Sequence, residues 1–147
     1  MIESMPVAIK GISLLTLLTL LLSGIGIHEA VHEPQQIIFT QNEIDPFVMD
    51  IQHRADLVYN VVNEVITQKN NYGTIAYKQT CEDSLAFIQT KRLDTNENYN
   101  TLSTDQKILV QNYRVYLKEA ANVVVYTGST GVVPDLSKMN DVRKKLN

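Results

Sequence analysis

Residues 28–33 read HEAVHE and include a His-Glu-x-x-His pattern, formed by His28, Glu29 and His32. On a helix, residues four positions apart lie on the same face, so the two imidazoles could bind one zinc ion. Glu29, beside them, could act as the general base on a zinc-bound water. The pattern therefore predicts, as one alternative for this chain, a hydrolytic zinc centre.

These five residues resemble the zinc-binding motif of the zincins, and the resemblance implies a small zinc metallopeptidase. The neighbouring residues depart from that family. Zincins usually place a bulky apolar residue directly after His-Glu, where this chain has Ala30, and they rarely place an acid after the second histidine, where this chain has Glu33. Pro34 then stops the helix because its ring clashes with the carbonyl of Ala30. The motif would therefore lack the packed support that a catalytic centre needs.

A third zinc ligand is also poorly supported. The metzincin pattern would place a histidine at position 38, which is Ile38 here, whereas the pair Asn63-Glu64 resembles the sequence that supplies a glutamate ligand in gluzincins. That resemblance makes Glu64 the third ligand. The heptad register described below, however, turns both Glu64 and the remaining histidine, His53, toward solvent. We therefore expect no catalytic residue and no cofactor, with zinc only under the alternative.

A second metal pattern pairs a carboxylate with a histidine three residues on. Glu29-x-x-His32 and Asp50-x-x-His53 resemble the ligand pairs of di-iron helical bundles. Such pairs point into the bundle core. The register places Asp50 and His53 on the outside, which disfavours a di-iron site.

Just before HEAVHE lies the longest apolar stretch of the chain. Residues 11–27 carry no charge, and as a helix they would be about 25 Å long. Extension to residues 7–27 gives a plausible membrane span, because Lys10 can reach the interface with its long side chain. The sequence thus predicts a signal peptide or transmembrane anchor over 1–27, a polar neck over 28–43 and a helical bundle domain over 44–147.

Three fates of the apolar segment remain open. It can stay as an anchor, or it can be cleaved after Gly26, where small residues suit a signal peptidase. It can also be cleaved after Gly11, since this site resembles that of prepilins and would imply a pilin-like filament subunit. Thr16, however, stands where bacterial pilins carry a glutamate. We expect the bundle at the outer face of the cytoplasmic membrane or secreted.

The remainder of the chain predicts an all-α fold, an up-down antiparallel bundle of three long helices and a short C-terminal one. Asp45-Pro46 is a typical helix start, and the first helix is expected over 45–69. The second is expected over 74–93. The third begins at a capping box on Ser103 and is expected to end at Thr127-Gly128, where glycine can form the C-cap.

Two of these helices carry heptad repeats of apolar residues, which are typical of coiled-coil packing. They are candidate self-association surfaces, so a homo-oligomer is expected. The first set comprises Val48, Ile51, Ala55, Val58, Val62 and Val65, and the second comprises Leu109, Tyr113, Tyr116, Ala120 and Val123. The single cysteine, Cys81, aligns with apolar positions of the second helix. It is expected in the core, with an intermolecular disulfide as the alternative.

Composition argues against one class of function but does not identify the function. The 147 residues carry a net charge of −3, which gives no electrostatic basis for nucleic-acid binding. The interpretation that best fits the sequence is a non-enzymatic, exported or membrane-anchored bundle that acts as an interaction, structural or ligand-sensing module. The zinc peptidase and the filament subunit are the alternatives.

Overall fold

The computed structural model describes residues 45–93 and 99–147, and these residues form four α-helices without a strand. The all-α prediction is thus confirmed for this part of the chain. The helices are α1 (Pro46–Thr67), α2 (Ile75–Thr90), α3 (Thr104–Thr130) and α4 (Ser137–Lys144). The predicted signal peptide or anchor over 1–27 and the polar neck over 28–43 lie outside the described residues. Within them, no helix combines the length and the apolar composition needed to cross a bilayer.

Side-chain caps fix the starts of the three long helices. Asp45 Oδ1 accepts a hydrogen bond from the amide of Phe47 at 2.9 Å, with proline in the first turn of α1. Thr74 caps α2 in the same way. At α3, the amide of Gln106 donates to Ser103 Oγ at 3.2 Å, and the Gln106 side chain accepts from the Ser103 amide at 3.0 Å. The predicted capping box is therefore present, and it satisfies two amides that a helix start leaves unpaired.

The end of α3 was predicted wrongly. The helix continues through Gly128, which is buried, and ends at Thr130, with Gly131 as the C-cap at φ +70°. A glycine inside a helix costs about 1 kcal/mol but does not force an end. Tertiary packing requires glycine at the C-cap position 131, since a Cβ there would lie 2.7 Å from Cγ of Tyr72. The sequence alone gave no sign of that contact.

All the heptad residues lie in one core within the chain. The helix α3 contacts each of the other three helices, so its apolar residues are covered on several sides. Every member of both heptad sets is buried, and the predicted surfaces therefore pack inside a single chain. The short helix α4 completes the core with Met139, Val142 and Leu146, each at most 2% exposed.

Two hydrogen bonds made by side chains define which helix ends meet. Gln106 Nε2 donates to Asp45 Oδ2 at 2.7 Å, which joins the starts of α1 and α3. Tyr72 Oη donates to the carbonyl of Ser129 at 2.9 Å, which joins the turn after α1 to the end of α3. Helices α1 and α3 therefore run in the same direction, and α2 runs antiparallel to both. We call the end with Tyr72 and Ser129 the distal end. It lies about 33 Å from Asp45, the length of the 22-residue α1.

The C-terminal helix is held on α1 by a small polar cluster. Arg143 Nη2 lies 2.9 Å from Asp56 Oδ1, and its guanidinium stacks 3.9 Å from the centre of the Tyr59 ring. Gln52 Nε2 donates to the carbonyl of Leu146 at 2.8 Å. These contacts fix α4, and with it the loop that leads from α3 to α4.

Candidate functional site

Of the residues predicted for a zinc site, only Glu64 lies among the described residues. His28, Glu29 and His32 lie outside the described residues, so the zinc alternative stays a prediction from sequence. Glu64, its candidate third ligand, is exposed on α1, where its Oε1 accepts a hydrogen bond from Gln68 Nε2 at 3.1 Å. Among the residues that the structure describes, no three His, Cys, Asp or Glu side chains are grouped so that they could hold a metal ion.

The carboxylate-histidine pair on α1 faces solvent. Asp50 and His53 are both exposed. The carboxylate of Asp50 is bonded by Arg54 Nε at 2.8 Å, an exposed pair one helical turn apart. Ligand pairs of di-iron bundles lie inside the bundle, so this placement gives the di-iron interpretation no support.

The hydroxyls of the buried tyrosines donate hydrogen bonds to backbone carbonyls and have a structural role. The hydroxyl of Tyr77 donates to the carbonyl of Val65 at 3.0 Å, and that of Tyr116 donates to the carbonyl of Ala55 at 3.1 Å. Tyr113 makes an equivalent bond at 2.6 Å to a carbonyl at the end of α2. Burial raises the pKa of all three phenols well above its usual range. They therefore stay protonated and contribute to packing.

Cys81 is also part of the core. Its side chain is fully buried, and this burial raises the pKa of the thiol to about 11, although a hydrogen bond with Tyr77 partly offsets the shift. A thiol that is neither exposed nor ionised is a poor nucleophile. An intermolecular disulfide at Cys81 would require the helices to separate.

Exposed apolar side chains, in contrast, are concentrated at the distal end. In the described part of the chain, five large apolar side chains are strongly exposed, and four of them lie there: Tyr72 (49%), Ile75 (42%), Tyr126 (48%) and Val132 (56%). We call these four residues the distal face. Single exposed apolar residues are ordinary, whereas several of them at one end of a domain make that end a candidate interaction surface.

The backbone beneath the distal face is held in place. The Tyr72 hydroxyl bonds the carbonyl of Ser129, and the Tyr72 ring lies on Gly131, which no larger residue could replace without displacing that ring. The amide of Val132 donates to Thr130 Oγ1 at 3.1 Å. The face is therefore presented by fixed turns, and a partner would not have to order it first.

A groove of about 450 Å³ adjoins the distal face, between the outer side of α3 and the loop 131–136. Tyr126 belongs to both surfaces. The groove has an apolar part that includes Val123 and Pro134. Its other lining residues are polar or acidic, namely Glu119, Asn122, Ser129, Thr130 and Asp135.

The two charged side chains that line the groove are both carboxylates. Glu119 is only 16% exposed, and its Oε1 lies 3.0 Å from the ammonium of Lys138, whose side chain is 67% exposed. Asp135 accepts two hydrogen bonds at 2.9 Å from the amide and the hydroxyl of Ser137, and these bonds lower the pKa of its carboxyl. Asp135 is therefore anionic at neutral pH, Glu119 is paired with Lys138, and no lysine, arginine or histidine lines the groove.

Sequence reasoning missed this site because, on α3, it singled out only the heptad residues and the two helix ends. Tyr126 lies outside the heptad set, and nearly half of its side chain is exposed. The spacing carried a usable signal: Glu119 and Tyr126 are seven residues apart, as are Asn122 and Ser129. Residues seven apart lie on one side of a helix, and these two pairs flank the buried residues of α3 on its outer side.

Comparison with known proteins gives no match to a family model, to a curated protein or to a solved structure. The function is therefore inferred from the surface of this chain alone.

Proposed function

We propose that this protein is a non-enzymatic interaction module, an exported helical bundle that binds a protein partner through its distal face. Residues 7–27 would hold it at the outer face of the cytoplasmic membrane, or cleavage after Gly26 would release it. The observation that carries the proposal is the concentration of four of the five exposed large apolar side chains at one end of the bundle.

The position of this face suits a tethered binding module. The apolar segment precedes Asp45, which lies at the opposite end of α1, about 33 Å from the distal end. A bundle that stands on the membrane by its N-terminal end would therefore present Tyr72, Tyr126 and Val132 away from the bilayer. Tyrosine suits such a face because it offers a large apolar ring together with a polar hydroxyl.

Binding through the heptad surfaces is the less favoured mode. All of those residues are already buried between helices of one chain. Their use in a homo-oligomer would require the bundle to open and its core to be exposed, which costs most of the folding free energy. A homo-oligomer of folded chains would therefore form through other surfaces, and the distal face is the best candidate.

Site-specific photo-crosslinking in cells that make the protein naturally tests this proposal. A photoreactive amino acid replaces Val132 on the distal face. In the matched control it replaces Asn63, which is exposed on α1 away from that face. We expect a discrete crosslinked species from position 132 and none from position 63.

The size of the crosslinked species identifies the occupant. A mass of two chains means a second copy, and a larger or smaller increment means a different protein. Equal crosslinking from both positions, or none from position 132, would contradict a specific binding function for the distal face.

A further inference from the structure

We propose that the groove beside Tyr126 takes a lysine or arginine side chain from an extended segment of the partner, with its cationic group on the carboxylates of Glu119 and Asp135 and its aliphatic part on the Tyr126 ring. This inference rests on the proposed function, since it specifies which protein surface the distal end binds.

Charge complementarity is the first argument. The two charged residues that line the groove are both acidic, so it repels phosphate and carboxylate ligands and attracts cations. Glu119 has capacity left, because a carboxylate can accept about four hydrogen bonds and its ion pair with Lys138 uses one oxygen. Lys138 itself extends into solvent and can move aside when another cation arrives.

The remaining lining residues suit the side chain that carries the charge. The ring of Tyr126 is about half exposed, and a tyrosine ring attracts a cation placed over its face. Asn122 and the hydroxyl of Ser129 add uncharged acceptors. An arginine presents five N–H donors in one plane and can use several such acceptors together.

The chain already contains one arginine held in this way. Arg143 pairs with Asp56 at 2.9 Å and stacks 3.9 Å from the centre of the Tyr59 ring. Carboxylate and tyrosine thus hold a guanidinium on α1 of the folded protein. The groove offers the same two kinds of group on α3 and the following loop, with no arginine of this chain among its lining residues.

The size of the groove limits the occupant. About 450 Å³ lies toward the low end of the range for small-molecule sites. It accommodates one or two side chains of an extended segment but not a helix. Apolar residues next to the cation in that segment would then reach Val132 on the distal face, so the fitting sequence combines a basic residue with an apolar one.

An NMR titration of the ¹⁵N-labelled full chain, in neutral detergent, tests the inference. The probe is the peptide acetyl-Arg-Leu-Arg-amide, and the control is acetyl-citrulline-Leu-citrulline-amide, which has nearly the same shape but no charge. We expect shifts of the amides around Tyr126 and Thr130 with the arginine peptide, and shifts at least tenfold smaller with the citrulline peptide at equal concentration. Equal shifts with both peptides, shifts elsewhere on the bundle, or no shifts would overturn the proposal.

Two charge-removing substitutions locate the binding site. Glu119→Gln and Asp135→Asn should each weaken binding of the arginine peptide by about twofold to fivefold, the upper part of the range for an exposed ion pair. The control Glu64→Gln removes the same charge from an exposed position on α1 and should change the affinity by less than twofold. Asparagine at position 135 can still accept the bond from the Ser137 amide through its Oδ1, while its Nδ2 can donate to the Ser137 hydroxyl, and Glu119→Gln provides a second test if that variant is unstable.

Unchanged affinity in both groove variants would overturn this inference even if the peptide binds. The outcome is separable from that of the proposed function. Crosslinking from position 132 together with no arginine-dependent binding would mean that the distal face binds a partner but that the groove does not bind a cationic side chain. Arginine-dependent binding without a crosslinked partner would contradict the proposed function and leave the cation site in place.

Discussion

Replacement of Gly131 by alanine should destabilise the bundle more than the same change at Gly73. Both glycines have positive φ, +70° at Gly131 and +88° at Gly73. Alanine in the left-handed region costs about 1–2 kcal/mol, so both variants lose that amount. The surroundings differ, because a Cβ at position 73 meets no atom within 4 Å, while one at position 131 lies 2.7 Å from Tyr72 Cγ.

The additional loss at position 131 can be estimated from the contacts of Tyr72. Its Cβ would lie only 3.0 Å from the new methyl group, so rotation of the ring alone does not relieve the clash and the whole residue must move. That movement breaks the 2.9 Å bond from its hydroxyl to Ser129, worth about 0.5–1.5 kcal/mol, together with the packing of the ring. We therefore expect Gly131→Ala to lose about 2–4 kcal/mol in total.

Denaturation by urea, followed by circular dichroism at 222 nm, measures both variants against the unchanged chain. The double variant Tyr72→Ala/Gly131→Ala, compared with Tyr72→Ala alone, tests the clash, because the contacts with the ring at 2.7 and 2.9 Å are then gone and only the Cβ contact at 3.0 Å adds to the backbone strain. Equal losses at the two glycines, or a loss at position 131 that the removal of the ring does not reduce, would refute the packing argument for the end of α3.

Three further outcomes follow from the core and the caps. Ser103→Ala should lower the free energy of unfolding by about 1 kcal/mol in urea denaturation, because it removes the N-cap of α3. Tyr116→Phe should cost about 1 kcal/mol through loss of its buried bond to the carbonyl of Ala55, whereas the exposed Tyr126→Phe should cost nearly nothing in the same assay. Cys81 should not react with a thiol reagent such as DTNB until the chain unfolds. Burial raises the pKa of the Cys81 thiol from 9.0 to about 11, so as the pH rises the unfolded chain loses this proton at a lower pH than the folded chain. The free energy of unfolding should therefore fall by about 2–3 kcal/mol between these two pH values. Cys81→Ala should remove that part of the decline, and an unchanged pH profile in this variant would contradict the burial argument.

Features that depend on residues close in sequence, such as the helix starts, were predicted correctly. Asp45 and Ser103 were correctly identified as helix starts, since a cap depends on its own side chain and on amides two or three residues away. The heptad spacing correctly indicated which side of α1 is apolar, because the period of a helix converts spacing into a face. The all-α class follows from these signals.

Features that depend on distant residues were not predictable in this way. The end of α3 was placed at Gly128 instead of Gly131 because the choice between the two glycines depends on Tyr72, which is remote in sequence. Spacing identifies an apolar face but not what covers it, so the heptad residues were candidates for self-association although the same chain covers them. For the same reason, the exposure of Tyr126 and the groove beside it became visible only with the loop 131–136 in place.

We infer that the chain works through a binding surface and not through a metal centre at His28, Glu29 and His32. The most direct test is the zinc content of the purified full chain, measured by mass spectrometry after dialysis against a weak chelator, and compared with that of the His32→Ala variant. We predict no retained zinc in either protein. One tightly bound zinc ion per chain that His32→Ala removes would contradict the claim and establish a zinc centre.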